Sequence, residues 1–319
     1  MRSKSQRKTV LSRALLIAAA LMLSSIGASA QTATTSTIST KPTPATYDPS
    51  SAIEVNVGDG PTGVASDGTS IWVTNQFTGN VVKVAANGSI LGRFAVGRNP
   101  TGVASDGINV WVANNASNTV TKLSLEGAVL GTYPAGNGPQ ALLITGQYIW
   151  VANERGNTVT KLSVKGAVLG TYPVGKRPVA LASDGANIWV ANNKSDTVTK
   201  LSAAGAVLGT YPVGDGPFGL AFDGTGIWVT NFFSGNVMKL SPSTGAVVAK
   251  ALVGDGASGI TFDGGNLLVV NNGSNSVSVL GGDGMLFTTL KVGISPYNIA
   301  VTPNGVWVTN SGSDSISRR

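Results

Sequence analysis

The sequence of 319 residues contains no cysteine and no histidine, and these two absences exclude several kinds of site. Without cysteine there can be no disulfide and no thiolate nucleophile. Without histidine there can be no Ser-His-Asp triad and no histidine-ligated metal. Acid–base chemistry would fall to Asp, Glu, Lys or Tyr, and the only glutamates are Glu54, Glu126 and Glu154. We therefore predict no catalytic residues, no cofactor and no metal site.

Long apolar stretches are also scarce, and the one that stands out lies near the N-terminus. Five basic residues occur within the first 13 positions, and the apolar stretch at 14–28 is too short to cross a membrane comfortably. Ala28, Ser29 and Ala30 then give the small-residue pattern of a cleavage site. We predict a secretory signal peptide over residues 1–30, cleaved after Ala30. The mature protein is then expected to be periplasmic or secreted, without a transmembrane anchor.

Charge is sparse, and its imbalance lies mostly in this N-terminal segment. Cleavage would remove five of the 22 basic residues and none of the 15 acidic ones, which leaves a net charge of about +2. The pI of 9.7 is mostly a property of the segment that would be removed, so it is no evidence for nucleic-acid binding. We predict no nucleic-acid partner. Residues 31–50 are rich in Thr, Ser and Pro and have the composition of a flexible linker.

Glycine, in contrast, is abundant and periodic. The string G-x-x-P, or a close variant of it, recurs every 39 or 40 residues, starting at Gly58, Gly97, Gly136, Gly175, Gly214, Gly254 and Gly293. All six tryptophans keep the same step, with a leucine in the sixth repeat: Trp72, Trp111, Trp150, Trp189, Trp228, Leu268 and Trp307. The chain therefore contains seven repeats of about 40 residues.

Each repeat contains four short strand-like segments. In the fourth repeat these are PVALAS, ANIWVAN, TVTKLS and AVLGTYPV, and Asp184-Gly185 separates the first two as a tight turn. Four strands in about 40 residues predict an all-β, seven-bladed β-propeller of four-stranded antiparallel blades over residues 51–319. The seventh repeat has only three strands. We predict that the N-terminal segment 52–57 completes the last blade and closes the ring.

The strings IWVTN and IWVAN, each preceded by G-P-x-[GA]-[VLI]-A or a close variant, carry a resemblance over residues 52–319. They resemble the YVTN/NHL type of bacterial seven-bladed propeller and the streptogramin (virginiamycin) B lyase family. Those lyases, as the resemblance implies, use a histidine base, a divalent metal and a glutamate. No residue of this sequence matches the histidines, so the resemblance implies the fold and leaves the lyase activity doubtful.

Residues that recur in the blades are predicted to serve the architecture rather than a ligand. The loop after the second strand begins with an Asn in every blade, and four residues later only Gly, Asn or Asp occurs. The tryptophans are predicted to pack between blades. A lysine recurs on the third strand, and we expect its aliphatic stem to cover the blade and its ammonium to be exposed: Lys83, Lys122, Lys161, Lys200 and Lys239.

A site is expected where blades differ, on the face that carries the between-blade loops and the loops after the second strands. Blades two to four contribute a basic arc: Arg98, Arg155, Lys176, Arg177 and Lys194. Blades five, six and one contribute acids: Asp215, Asp255 and Asp59. Aromatic residues also break the repeat: Phe77, Phe218, Phe232, Phe233 and Tyr297.

These features predict an exported, non-catalytic binding or scaffold module, which we expect to be a monomer. Its partner would be a peptide, a protein or an envelope glycan, engaged on the face defined above. Two alternatives stay open. One is a lyase-like or hydrolytic enzyme with a carboxylate-only site, and the other is a structural repeat protein of the cell surface.

Overall fold

The computed structural model describes residues 52–319, which fold into seven four-stranded antiparallel sheets. Each sheet is one blade, so the predicted seven-bladed, all-β propeller is confirmed. Among these residues no helix is long and apolar enough to cross a membrane. The predicted signal peptide at 1–30 and linker at 31–50 lie outside the described residues.

The strands of the blades follow one another along the chain. Blade 1 contains β2 (Pro61–Ser66), β3 (Ser70–Asn75), β4 (Asn80–Ala85) and β5 (Ile90–Ala95). Blade 2 contains β6 (Pro100–Ser105), β7 (Asn109–Asn114), β8 (Thr119–Ser124) and β9 (Val129–Pro134). Blade 3 contains β10 (Pro139–Thr145), β11 (Tyr148–Asn153), β12 (Thr158–Ser163) and β13 (Val168–Pro173). Blade 4 contains β14 (Pro178–Ser183), β15 (Asn187–Asn192), β16 (Thr197–Ser202) and β17 (Val207–Pro212), as the sequence predicts.

The remaining blades keep this plan. Blade 5 contains β18 (Pro217–Phe222), β19 (Ile227–Asn231), β20 (Asn236–Leu240) and β21 (Val247–Leu252). Blade 6 contains β22 (Ala257–Phe262), β23 (Leu267–Asn271), β24 (Ser276–Leu280) and β25 (Leu286–Lys291). Blade 7 contains β26 (Pro296–Thr302), β27 (Gly305–Asn310) and β28 (Ser315–Arg318), with β1 (Ile53–Asn56) as its outer strand.

The ring is closed by the N-terminal strand, as predicted. β1 pairs antiparallel with β28, from Ile53 opposite Arg318 to Asn56 opposite Ser315. The next residue, Val57, is fully buried against Trp307 and Ile316 of blade 7 and against apolar side chains of blade 1. The strand therefore joins the last blade by hydrogen bonds and contributes to the junction with the first blade by packing.

The tryptophans lie between neighbouring blades, which confirms their predicted role. Trp72 is fully buried against Val110, Val112 and Leu123 of blade 2. Burying an indole removes roughly 200 Å² of apolar surface from water, a transfer term of about 5 kcal/mol. The indole N–H is also satisfied, because Trp72 Nε1 donates to Asp67 Oδ2 at 2.8 Å.

The aspartates of the Asp-Gly turns therefore have two roles. In blade 4, Asp184 Oδ1 accepts the backbone N–H groups of Ala186 and Asn187, while Oδ2 accepts the indole N–H of Trp189. Burial alone would raise the pKa of this carboxyl, but the hydrogen bonds outweigh that effect and lower it. Thr145 replaces the aspartate in blade 3 and still accepts from Trp150, whereas Trp307 Nε1 in blade 7 is buried without a partner.

The expectation that the recurring lysines expose their ammonium groups is wrong for Lys83, Lys122 and Lys200, and only Lys161 and Lys239 make their hydrogen bonds at exposed positions. Lys83 lies opposite Trp72 in the strand register, its Nζ is 5.3 Å from the indole centroid, and it donates at 2.7 Å to the carbonyl of Leu125 in blade 2. Arg318 takes the same role in blade 7, where it donates to the carbonyl of Ala86 in blade 1. These cations link neighbouring blades, because each donates to a main-chain carbonyl of the next blade.

The loops between blades are held by the recurring amides. Asn114 Oδ1 accepts the N–H of Gly97 at 3.0 Å, and its Nδ2 donates to Thr121 on the third strand. The seven positions four residues after this Asn all have positive φ, as predicted: Gly79, Asn118, Asn157, Asp196, Gly235, Asn275 and Asp314. The five that carry a side chain also accept an N–H from the next between-blade loop: Asn118, Asn157, Asp196, Asn275 and Asp314.

Closure by the N-terminal strand makes the ring sensitive to residues at its start. We expect Val57→Asp to lower the melting temperature by about 10 °C or more, because it places an unpaired charge in a closed core. Deletion of residues 51–58 should lower it further. Asn56→Asp is the matched control, since Asn56 is the exposed neighbour. Equal melting curves for the two single variants, measured by circular dichroism, would contradict the closure.

Candidate functional site

The between-blade loops and the loops after the second strands lie on the same face of the ring, as predicted. The between-blade loop and the loop after the second strand are hydrogen-bonded to each other in the same blade, for example through Asn115 N to Asn99 O and Asn193 N to Arg177 O. We call this side of the ring the mouth face. The first strands of the blades surround a central channel that opens on it.

The channel contains a cavity of about 160 Å³ below the mouth face. Its rim is formed by residues that directly follow the Pro of a blade, and five of the seven blades contribute one: Thr101, Gln140, Val179, Phe218 and Tyr297. Three of them are large, namely Gln140, Phe218 and Tyr297. The apolar side chains of the cavity wall come mostly from the first strands: Val103, Leu142, Leu181, Leu220 and Ile260.

Four of the five predicted aromatics form one cluster. Phe218 meets Tyr297 edge-to-face with ring centroids 5.2 Å apart, and it lies 5.9 Å from Phe232. Phe232 in turn meets Phe233 at 5.2 Å. The cluster therefore runs from the channel to the exposed loop tip of blade 5, where Phe233 is 74% exposed. Phe77 lies apart and covers Gly60 of its own blade.

Four of the five predicted basic residues also come together. Arg155, Lys176, Arg177 and Lys194 line a depression of about 370 Å³, which we call the basic depression. Glu154 is the one acid in its lining, and its Oε1 accepts from Arg177 Nε at 2.6 Å. Arg98 does not join them.

The predicted acids stand in the between-blade loops of other blades, at the position that Lys176 takes in blade 4. Asp59, Asp215 and Asp255 are exposed on the mouth face in blades 1, 5 and 6. The basic depression belongs to blades 3 and 4. The mouth face is therefore electrically asymmetric, as the sequence predicts. Residues 52–319 contain no group of three His, Cys, Asp or Glu side chains that could hold a metal ion.

Arg177 has an unfavourable backbone conformation. Its φ is +57°, and the positions equivalent to it in the other blades are Gly60, Asn99, Gly138, Gly216, Gly256 and Ser295. A long side chain in the left-handed region costs on the order of 1 kcal/mol. The backbone N–H of Arg177 is held by Asn157 Oδ1 at 2.9 Å. Blade 4 therefore keeps an arginine where most blades have a residue that tolerates this geometry.

A chain of hydrogen bonds joins the basic depression to the channel. Arg155 donates to Asn115 Oδ1 at 2.8 Å, Asn115 Nδ2 donates to Gln140 Oε1 at 3.3 Å, and Gln140 Nε2 donates to the Tyr297 hydroxyl at 3.4 Å. The last bond crosses the channel from blade 3 to blade 7. Asn115 also donates to Glu154 Oε2 at 3.3 Å. The two predicted clusters are thus parts of one connected surface.

Sequence reasoning misses Asn115 and Gln140. The Asn at the same place in blades 4 and 6 donates instead to the carbonyl of the next blade's Pro, through Asn193 to Pro217 and Asn272 to Pro296. Asn115 therefore has the identity of an architectural residue and a different partner. The signal that could have revealed it is Gln140, which stands at a rim position where other blades carry a smaller residue or an aromatic one.

Tyr297 is the titratable group most affected by this arrangement. Burial, together with the negative charge of Glu154, raises the pKa of Tyr297 to about 12. The hydroxyl accepts from Gln140 and keeps its own proton at neutral pH. It is therefore a hydrogen-bond donor at the rim of the cavity.

The raised pKa can be measured through tyrosinate absorbance. We expect the titration curves of the native protein and of Tyr297→Phe to diverge only above about pH 11, whereas in denaturant the two should diverge near pH 10. Because the neutral form is favoured in the folded state, the associated stability is present below about pH 10 and is lost as the pH rises through about 12. Divergence of the native curves near pH 10 would show that Tyr297 lies in a more hydrated environment.

Known proteins match this chain in structure only. No protein-family model matches the sequence, and no curated protein does either. A streptogramin B lyase matches with a TM-score of 0.74 at 18% identity, covering 84% of this chain and 96% of the other. Virginiamycin B lyase from Staphylococcus aureus matches with a TM-score of 0.73 at 18% identity, covering 84% and 98%. Hydrazine synthase of Kuenenia stuttgartiensis matches with a TM-score of 0.72 at 19% identity, covering 81% and 94%. At these identities the likeness shows the fold, a seven-bladed β-propeller resembling virginiamycin B lyase.

Proposed function

We propose that the protein is an exported, non-catalytic binding module whose ligand lies on the mouth face, across the basic depression and the channel rim. One observation carries the proposal. The residues that depart from the repeat are not scattered, because most of them converge on two adjoining clusters joined by the hydrogen bonds of Asn115 and Gln140. Export is part of the proposal and is supported by the signal-peptide features of residues 1–30.

The charges of the basic depression support a ligand that carries negative charge. Four cationic side chains line it with the single acid Glu154, and that acid is paired with Arg177. Lys176 and Lys194 make no ion pair within the described part of the chain. Like charges held close together repel one another, and an anionic ligand would relieve that repulsion. The left-handed Arg177 adds strain at the same place, as is common at functional sites.

A carboxylate-only enzyme is the alternative, and the fold shared with lyases raises it. The mouth face offers this function little support. Glu154 is the one carboxylate in the basic depression, and both of its oxygens are engaged, Oε1 by Arg177 and Oε2 by Asn115. A carboxylate-only site that divides acid and base roles between two groups would need a second carboxylate, and the lining of the basic depression has none. The contacts therefore favour a structural role for Glu154, which is to orient the cations around it.

Charge reversal in the basic depression tests the binding module. Purified protein would be assayed against arrays of nine-residue peptides and of envelope glycans, including polyuronates. We expect Lys176→Glu combined with Lys194→Glu to weaken the best probe by at least about ten-fold, because two favourable charge contacts become repulsive. Lys165→Glu combined with Lys250→Glu is the matched control, with the same change of net charge at exposed sites outside the basic depression. A probe that binds both double variants equally well would place the site elsewhere.

Divalent ions separate this function from the metal-dependent alternative. We expect no rise in melting temperature with Mg²⁺, Mn²⁺, Zn²⁺ or Ca²⁺ at millimolar concentration, because a folded state that binds no ion gains no stability from it. Thermal unfolding by fluorimetry gives the readout, and EDTA-treated protein is the reference. A rise that saturates with ion concentration would favour the enzyme.

A further inference from the structure

The inference concerns what the ligand is, and it rests on the proposed function. It starts from the shape of the channel cavity. With about 160 Å³, the cavity has room for one large side chain and not for a folded domain or a sugar chain. Leu142, Leu181, Leu220 and Ile260 form apolar parts of its wall, and Phe218 stands at its rim. Thr101, Gln140 and Asn298 add polar groups to the lining, so the size of the cavity selects a single side chain and its leucine and isoleucine part favours one that is largely apolar.

The rim above this cavity is suited to a peptide carbonyl. The Tyr297 hydroxyl accepts from Gln140 and has its own proton left to donate. Gln140 is oriented in turn by Asn115, whose Nδ2 donates to Gln140 Oε1. One donor each from Arg155, Asn115 and Gln140 is therefore directed along the chain from the basic depression toward Tyr297. A ligand group that completes the chain must be an acceptor, such as a main-chain carbonyl oxygen.

The distance to the basic depression sets the length of the ligand. Two side chains, Asn115 and Gln140, bridge the gap between Arg155 and Tyr297. Such a gap corresponds to roughly 10 Å, or about three residues of extended chain. An anionic group about three residues from the inserted side chain would therefore reach Arg155 and Arg177, on the channel side of the basic depression.

We propose that the mouth face binds an acidic peptide segment, with one large apolar side chain in the channel cavity that Gln140, Phe218 and Tyr297 line and its carboxylates over the basic depression. The aromatic cluster extends the apolar contact outward through Phe232 to Phe233. The specificity is dual, since the cavity selects an apolar side chain and the basic depression selects negative charge near it.

The peptide array identifies the class of ligand. Bound peptides should contain one Phe, Leu, Ile or Met, with Asp or Glu enriched about three residues away. The best of them, labelled with fluorescein, would be titrated by anisotropy. Replacing its apolar residue with Gly should weaken binding at least ten-fold, and so should Lys176→Glu combined with Lys194→Glu in the protein. Tyr297→Phe, which keeps the ring, should weaken binding about three-fold or more through the lost hydrogen bond.

The outcomes separate the two proposals. Binding of peptides without acidic enrichment, or with no loss on the Gly replacement, overturns the acidic peptide. A polyuronate bound in preference to every peptide, and lost in the Lys176→Glu and Lys194→Glu protein, also overturns it while leaving the binding module standing. A probe whose affinity changes in neither the charge-reversed protein nor Tyr297→Phe overturns both. Lys165→Glu combined with Lys250→Glu should behave as wild type throughout.

Discussion

The structure depends on one contact that is repeated around most of the ring, the tryptophan at the junction of two blades. The indole is buried against the next blade, its N–H is usually bonded to the Asp of the preceding turn, and a cation packs across its ring while donating to the next blade's main chain. The carboxylate thus accepts the indole N–H, and the ammonium has the indole ring and a main-chain carbonyl as its partners. Blades that cannot bury their own faces alone are joined by these contacts into one core.

A second recurring arrangement, within the mouth-face loops, explains why one residue of each loop can vary. The loop backbone is fixed by the recurring Asn, by a Ser three residues later that accepts a loop N–H in five blades, and by the left-handed position after it, so the residue two positions after the Asn is left free to vary. At this position four blades carry a large residue, namely Phe77, Arg155, Lys194 and Phe233, and the other three blades carry Ala or Gly. A rigid scaffold with interchangeable loop tips allows the binding chemistry to change without repacking the core.

The fold could be predicted from the sequence because each residue that the blade needs recurs at the same position in most of the repeats. The Gly, Trp and Asn positions and the missing fourth strand of blade 7 led directly to seven blades closed by β1. The lysines were misjudged because their partners are carbonyls of another blade, and a main-chain acceptor leaves no signal in the sequence. For the site, divergence from the repeat found Arg177 and Tyr297, but it could not find Asn115. That residue has a common identity, and only its three-dimensional neighbours, Gln140 and Glu154, set it apart.

The junctions around the ring are not equal, and the buried indole of Trp307 shows where they differ. Its N–H has no partner, in contrast to those of the other tryptophans, and blade 6 has Leu268 in place of an indole. An unsatisfied buried donor costs about 1–3 kcal/mol. The weak junctions therefore lie on either side of blade 7, the blade assembled from both ends of the propeller chain. The ring has a built-in seam, and local opening by thermal fluctuation should start there, next to Tyr297, rather than at the basic depression on blades 3 and 4.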